Sequence, residues 1–266
     1  MNRELISIVL PTYNRSRILP PALESCLNQS WENLELLVVD DGSLDATPEV
    51  VRGFAERDPR VKYLESPHQG LPRALNTGFR SARGELLTWT SDDNFYRPQA
   101  LESMAECLRY QPGPALVYAD MCFHDEMSGE VRDICNAGRD LRVENKVGAC
   151  FLYPREIREK VGDYDPAFPL VEDYDYWLRV ERQFPLVHLH RVLYDYHYHA
   201  KTLTVTRERE VTARYFLLRR KFGYLTPEEF KTGWRDNLKR AWREAPGSFW
   251  DKFRAVKKLK DKLGKI

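Results

Sequence analysis

The chain has no long hydrophobic run. Its first apolar stretch, Leu5 to Leu10, is cut off by Pro11 and is too short for the apolar centre of a secretory leader. No stretch reaches the roughly 20 apolar residues that span a bilayer. A soluble cytoplasmic protein is expected, attached at most to the inner face of a membrane. Charge of one sign is also lacking: 41 Lys and Arg stand against 40 Asp and Glu, a formal net charge of +1. Nucleic-acid binders usually carry a basic excess, so no nucleic-acid partner is expected. Cysteine is sparse, with five thiols at 26, 107, 122, 135 and 150. The count is odd and no pair has CxxC spacing, which suggests neither a disulfide framework nor a zinc site. Reduced thiols are expected. There is no GxGxxG and no GxxxxGK(S/T), which removes support for dinucleotide and P-loop readings. Internal repeats and low-complexity segments are absent as well.

What the chain does have is length and alternation. With 266 residues it can bury a sizeable core as one large α/β domain, or as a domain plus an extension. Leu5 to Leu10 reads as a buried strand. Pro20-Pro21 fits a first helical turn, and Ile18, Leu19, Ala22, Leu23, Cys26 and Leu27 recur at helical spacing. Leu34 to Val39 is a second strand, followed by a helix that Asp45 or Thr47 can cap. Val61 to Leu64 is a third strand, and Leu71 to Ala82 a helix closed by Gly84. Leu86 to Thr90 is a fourth strand, and Pro98 opens a helix through Tyr110. Strands and helices that alternate over short connections predict a parallel sheet with right-handed crossovers. Beyond Tyr110 the pattern is less regular. Strands are expected over Ala115–Phe123, Leu186–Leu189 and Leu193–His197, with a hairpin near Glu130-Val131-Arg132. Short helices are expected over Pro154–Val161 and Asp173–Arg182, and charged helical sequence follows from Thr206.

Three strands end in polar sets: Pro11-Thr12-Tyr13-Asn14, Asp40-Asp41-Gly42-Ser43 and Ser91-Asp92-Asp93-Asn94. Each set alone reads as an ordinary turn before a helix. Parallel strands share a direction, however, so the three sets converge on one edge of the sheet. That edge is where open α/β folds bind ligands. The adjacent carboxylates Asp92 and Asp93 offer hard oxygen ligands that suit Mg²⁺ or Mn²⁺. A mononucleotide fits the same edge. Tyr13 can stack on a base, Asp41 can accept a hydrogen bond from base or ribose, and a cation on the acidic pair can hold a diphosphate.

In order and spacing, Ile8 to Asn14, Val38 to Ser43 and Thr90 to Asn94 resemble the successive blocks of the family 2 glycosyltransferases. The resemblance covers roughly residues 5 to 205. It implies the nucleotide-diphospho-sugar transferase fold called GT-A, a mostly parallel central sheet flanked by helices, and inverting sugar transfer. The acidic pair resembles the family's DXD motif. By that likeness Asp93 is the main metal ligand and Asp92 contacts the ribose or the metal's hydration shell. Pro11, Tyr13, Asn14 and Asp41 match positions around the nucleoside. Gly70 to Gly78 resembles the family's Gly-x-x-x-Ala-Arg-Asn-x-Gly helix, but the usual Arg falls on Leu75. Arg73 is the candidate to replace its charge near the diphosphate, and a solvated helix face is the plainer role for it.

Inverting transfer needs one carboxylate that removes a proton from the acceptor hydroxyl. Val171 to Arg179 resembles the block that supplies this base, and Asp173 matches its position, with Glu172 and Asp175 as neighbouring alternatives. Helix capping is the plainer role for Asp173, and a carboxylate stabilised at a helix N-terminus has a lowered pKa and is a weaker base. Trp177, beside Leu178 and Val180, reads as core; its other candidate role is to stack, with nearby tyrosines, on an acceptor sugar. Tyr196 to Thr204 resembles the family's closing Tyr-Arg-x-His-x-x-Ser-x-Thr block. His199 falls on its His, which reaches the metal or diphosphate, and His197 replaces its Arg. Two His at i and i+2 on a strand face one side, and Lys201 adds charge nearby.

The expected organisation is a transferase domain over 1–205 and a helical C-terminal extension over 206–266. The domain divides into a nucleotide-binding half of about 1–95 and an acceptor-binding half of about 96–205. From Ser248 seven Lys and Arg stand against Asp251 and Asp261, and Phe249, Phe253, Val256 and Leu263 fall near one helical face. Such a helix docks on the domain or a partner, or lies on an anionic membrane surface. The membrane reading fits a lipid-linked acceptor. The implied partners are a nucleotide-sugar donor, foremost a UDP-sugar, and a glycan or lipid-linked acceptor. The implied cofactor is Mn²⁺ or Mg²⁺, and a homodimer stays open. One rival is a sugar-phosphate nucleotidyltransferase, which usually has a Gly-rich loop after its first strand, unlike Pro11-Thr12-Tyr13-Asn14. Another is a non-catalytic nucleotide-sugar-binding or scaffold protein, against which Asp93, Asp173 and His199 stand together.

Overall fold

The computed structural model describes residues 3–244. The first part of the chain forms β1 (Ile6–Thr12), α1 (Leu19–Leu27), β2 (Leu34–Asp40), α2 (Thr47–Arg57), β3 (Val61–Glu65), α3 (Leu71–Ser81) and β4 (Leu86–Trp89). Next come β5 (Phe95–Tyr96), α4 (Ala100–Arg109), β6 (Leu116–Asp125), β7 (Val131–Ile134), β8 (Phe151–Pro154), α5 (Arg155–Val161) and α6 (Glu172–Glu181). The last elements are β9 (Leu186–Tyr198), α7 (Leu203–Thr206), α8 (Glu208–Lys221) and α9 (Pro227–Glu244). The sheet order is β3-β2-β1-β4-β8-β6-β9-β5, with β7 paired to β6. The parallel arrangement expected from the alternation holds over β3, β2, β1 and β4. Past β4 the sheet is mixed: β8 runs antiparallel to β4 and to β6, while β6 and β9 are parallel.

Side chains alternate across the strands and so divide the core between two faces. Ile6, Ile8, Leu10, Leu36 and Val38 pack toward α1, α2 and α4 through Leu23, Val51 and Met104. Val9, Leu37 and Val39 pack toward α3, α6 and α8 through Leu75, Phe79, Trp177 and Leu218. Helices on both faces explain why β1 and β2 are buried at every position. At Gly78 an added Cβ would lie 2.4 Å from Val9 Cγ1, so α3 reaches the sheet because this residue has no side chain.

Two regions differ from the sequence expectation. Leu186–Leu189 and Leu193–His197 belong to one strand, β9, whose register slips opposite Ala119, Asp120 and Met121. A bulge at that point exposes His190 and Arg191 and imitates a loop in the hydrophobic pattern. β5 and β8, of 2 and 4 residues, are too short to show periodicity.

The expected extension joins the domain through α8. Leu218 and Phe222 belong to the second core, and Lys221 Nζ lies 3.1 Å from Asp175 Oδ1 on α6. The basic tail from Ser248 lies outside the described residues. Among those described, no helix is long and apolar enough to cross a membrane.

Candidate active site

β1, β2 and β4 lie side by side and point the same way, so Thr12, Asp40 and Trp89 finish at one edge. The loops that leave them are bonded together. Asn14, in the left-handed region at φ 53, donates its backbone N–H to Ser43 Oγ and accepts from Leu44 N at Oδ1, both at 2.8 Å. Its side chain therefore joins the first two loops. Pro11 is buried within β1 opposite Val39; it shapes the strand end and offers no side-chain surface to a base.

Asp41 accepts from the backbone N–H groups of Gln69 and Gly70, each at 2.9 Å, and lies 2.9 Å from His68 Nδ1. Three of its roughly four acceptor directions are thus engaged, which leaves room for one ligand contact. Tyr13 stacks on His68 with ring centroids 4.1 Å apart and planes at 22°. It is 38% exposed, so the stack leaves ring surface open to a base. Gly42 makes this arrangement possible: at φ +79 its missing Cβ would stand 2.9 Å from His68 N.

The turn after β4 is held by Asn94. Its Nδ2 donates to Asp93 Oδ1 at 2.8 Å, and its Oδ1 accepts from His197 N at 2.7 Å. That second bond fastens the turn to the end of β9 and brings His199 Nε2 to 3.2 Å from Asp93 Oδ2. Asp92, 9% exposed, lies with Oδ1 3.7 Å from Arg15 Nε. Burial first, and then the charge of Asp93, pushes its carboxyl up to about 7, against the pull of Arg15. Two adjacent carboxylates with one distant guanidinium leave excess negative charge in a buried turn. Asp93 and His199 are the pair that could hold a divalent cation together, with Asp92 adding negative charge beside them; among the described residues the three do not close into one compact ligand group. His199 Nδ1 accepts the Lys201 backbone N–H at 3.2 Å, which places the ring proton on Nε2. Ligation through Nε2 therefore requires the proton to move to Nδ1 and Lys201 N–H to be released.

Asp173 stands half-buried in the first turn of α6. Its Oδ2 accepts from Asn145 Nδ2 and its Oδ1 from Tyr174 N, both at 2.7 Å. These bonds pull its pKa down, but burial outweighs them and the carboxyl is raised above its ordinary value. The capping argument predicts a lowered pKa; the reversal arises because α6 begins inside the protein. Glu172 is 4% exposed, and among the described residues its Oε2 has no hydrogen-bond partner. Burial and then the charge of Asp173 raise its pKa too. The Tyr164 hydroxyl accepts from Trp89 Nε1 at 2.9 Å. Asn76 on α3 bonds the Tyr164 backbone at both N and O. Tyr164 thus ties α3 to the end of β4.

Several candidates stand apart from these groups. Asp175 is fully buried, with Oδ2 2.8 Å from Arg179 Nε and Oδ1 3.1 Å from Lys221 Nζ. It locks α6 to α8 and is not free to act as a base. Trp177 is also fully buried, edge-on to Phe151 with centroids 4.5 Å apart. The helical period turns both inward, so Trp177 cannot stack on an acceptor sugar. His197 lies parallel to His124, with ring centroids 4.8 Å apart, and its Nδ1 is 3.3 Å from Glu126 Oε1. His199 lies beyond the end of β9, so the i, i+2 rule does not align it with His197 and the two rings serve different partners. Arg73 and Lys201 are exposed, and Leu75, at the position of the family's arginine, is buried in the core. The sequence reading missed Arg15, His68 and Asn145. Arg15 and His68 flank recognisable blocks, whereas Asn145 lies in an aperiodic stretch that carries no local signal.

A sequence profile described as glycosyl transferase family 2 matches residues 7–162. An uncharacterized glycosyltransferase of Rickettsia felis is 28% identical over 196 residues, which covers 68% of this chain and 32% of that protein. The chain thus spans about a third of that relative's length. A second, from Rickettsia prowazekii, is 27% identical over 214 residues, 76% of this chain and 66% of its own. Among solved structures, S. aureus TarS 1-349 in complex with UDP superposes with a TM-score of 0.64 at 15% identity, covering 97% of this chain and 82% of that one. Mannosyltransferase PcManGT from Pyrobaculum calidifontis, in complex with GDP-Man and Mn²⁺, gives a TM-score of 0.64 at 19% identity, covering 100% and 81%. The α/β fold, with its mixed sheet between helices, is the GT-A fold of these transferases.

Proposed function

This chain belongs to glycosyl transferase family 2, and on that premise we propose that it moves a sugar from a nucleotide diphosphate sugar to an acceptor hydroxyl, with inversion and with a divalent cation at Asp93. One observation carries the reading: Asp93 and His199, 106 residues apart in sequence, meet beside buried Asp92 at the carboxyl edge of the parallel strands. A UDP-sugar is the first donor to test and a GDP-sugar the second, since TarS was solved with UDP-GlcNAc and PcManGT with GDP-Man. The acceptor is a glycan, lipid-linked or other hydroxyl compound.

Asp93 and His199 would hold a Mn²⁺ or Mg²⁺ ion, which would supply positive charge against the leaving diphosphate, and Asn94 fixes the Asp93 carboxylate. Tyr13 offers a ring face to the base, Asp41 offers its remaining acceptor direction to the nucleoside, and Asp92 faces the ribose or the cation's water shell. Asp173 takes the proton of the acceptor hydroxyl as that oxygen bonds to the anomeric carbon. The bond from the anomeric carbon to the diphosphate oxygen breaks in the same displacement, so the configuration inverts. The proton ends on Asp173 and the negative charge on the nucleoside diphosphate. Its raised pKa makes Asp173 a stronger base than an ordinary carboxylate, and Asn145 aims it.

The test is release of nucleoside diphosphate from a panel of UDP-, GDP- and TDP-sugars with Mn²⁺ or EDTA. Turnover that needs the cation and Asp93 is expected. No turnover with any donor, together with no effect of Asp93→Ala on donor binding, would sink the reading. A nucleotidyltransferase would instead release pyrophosphate from a nucleoside triphosphate, and the non-Gly-rich turn after β1 speaks against that alternative.

A further inference from the structure

A second group of ligand-type side chains shares no residue with the site above. Asp120, Cys135, His188 and His190 each offer one ligand atom, and these four atoms all lie within 4.8 Å of one another. Asp120 comes from β6, Cys135 is the first residue after β7, and both histidines come from β9. We propose that these four side chains form a zinc site, with Cys135 Sγ, one imidazole nitrogen each from His188 and His190, and the Asp120 carboxylate as ligands.

The donor set is the first argument. One thiolate, two neutral imidazoles and one carboxylate suit tetrahedral Zn²⁺, and their two negative charges balance it. Cys135 gives its thiol proton to solvent on binding. Geometry is the second. Zinc distances of about 2.0–2.3 Å place tetrahedral ligand atoms roughly 3.3–3.7 Å apart, so the widest pairs need to close by about an ångström while Asp120 and His188 open from their hydrogen-bonded contact. Asp120 Oδ1 is already held by Asn136 N at 2.8 Å and lies 2.7 Å from His188 Nε2. The His188 ring is fixed by stacking on Tyr118, with centroids 5.1 Å apart, and His190 lies 4.1 Å from it. His190 lies in the bulge between Leu189 and Val192, so its ring reaches His188 through the irregularity of the strand and not through regular alternation. The register slip of β9 falls at Asp120, and bulges re-aim side chains in this way. Access is the third argument: Asp120 is 6% exposed, while Cys135 and His190 face solvent and leave an entry path.

A neighbouring cluster shows the difference. Cys122, His124 and Asp195 also lie close together, but Arg97 Nη2 donates to Asp195 Oδ1 at 3.0 Å, so a cation already occupies that carboxylate. Among the described residues the bonds of Asp120 run to His188 and the Asn136 backbone, with no Lys or Arg among them. Zinc would fasten β7 and the start of the 135–150 segment to β9, and that segment carries Asn145, the partner of Asp173. CxxC spacing fails to reveal such a site because its ligands come from three separate elements.

The test uses the full chain without an affinity tag, freed of metal and titrated with Co²⁺. One equivalent is expected to give tetrahedral visible bands and a thiolate-to-cobalt charge-transfer band, both erased by Zn²⁺. Cys135→Ser removes the charge-transfer band, His190→Ala weakens the cobalt binding that this band reports at least about tenfold, and Asp93→Ala leaves the charge-transfer band in place. Zn²⁺ raises the melting temperature of the unaltered chain by several degrees but not that of Cys135→Ser, whose metal-free melting temperature stays the same because the side chain is exposed. No charge-transfer band, or a band that survives Cys135→Ser, would overturn the proposal and leave Asp120 and His188 as a simple hydrogen-bonded pair.

Discussion

In β3-β2-β1-β4 the polar groups of the site follow on strand ends, whereas past β4 only His199 does so, just beyond β9, and Asp173 sits in a buried helix start and is held by Asn145 from a loop. The first arrangement needs only strand direction: three parallel strands deliver Tyr13, Asp41 and Asp92-Asp93 to one edge. The second needs partners far away in sequence, as Asp173 needs Asn145 and Asp175 needs Lys221. The contrast also separates two fates of a buried carboxylate. Asp175 is matched by two cations and serves packing. Among the described residues Asp173 and Glu172 have no such ion pair, and burial raises both pKa values. An unmatched carboxylate can exchange a proton, and that is what a base requires.

The sharpest way to break this contrast is Asp173→Asn. The rate of nucleoside diphosphate release should fall about 10²–10⁴-fold with little change in melting temperature. A pure capping residue would give the opposite pattern. Trp177→Ala should cost about 3–5 kcal/mol in denaturant unfolding, because it opens a cavity in the second core. The acceptor KM of the folded fraction should stay unchanged, and a large rise in that KM would return Trp177 to the acceptor site. Asn145→Ala removes a bond that lowers the pKa of Asp173. The base must be ionised, so the rate rises with pH through that pKa, and the acid limb of the pH–rate profile should move upward. A profile that stays in place would detach Asn145 from the base. The smallest effect is expected from Glu172→Gln. A carboxyl whose pKa is raised on folding contributes stability at low pH and loses it as pH rises through the folded value. The variant should therefore melt a few degrees higher than the parent on the alkaline side and no higher on the acid side.

The legibility of the chain divides along the same line. β1, β2, β4 and their turns were readable because strand period, turn residues and family blocks all act over a few positions. β9 was split in two because its bulge breaks the period, and β5 and β8 are too short to have one. At the site, Asp93 and His199 were readable as separate block positions, and the fold brings them to 3.2 Å. Asn145, His68 and the ligands around Asp120 were not, because each depends on a partner in another element. Helical spacing alone could not decide between a surface and a buried role for Asp175 and Trp177, since α6 has the sheet on one side and α8 on another.

The central claim is that the acidic turn after β4 binds a nucleotide through a cation. Its most direct test is the melting temperature with UDP alone, with Mn²⁺ alone and with both, since a ligand that binds only the folded state raises stability. The account predicts a rise with UDP and Mn²⁺ together that exceeds the two separate effects and is lost in Asp93→Ala. An equal rise with UDP in EDTA, retained in Asp93→Ala, would contradict it.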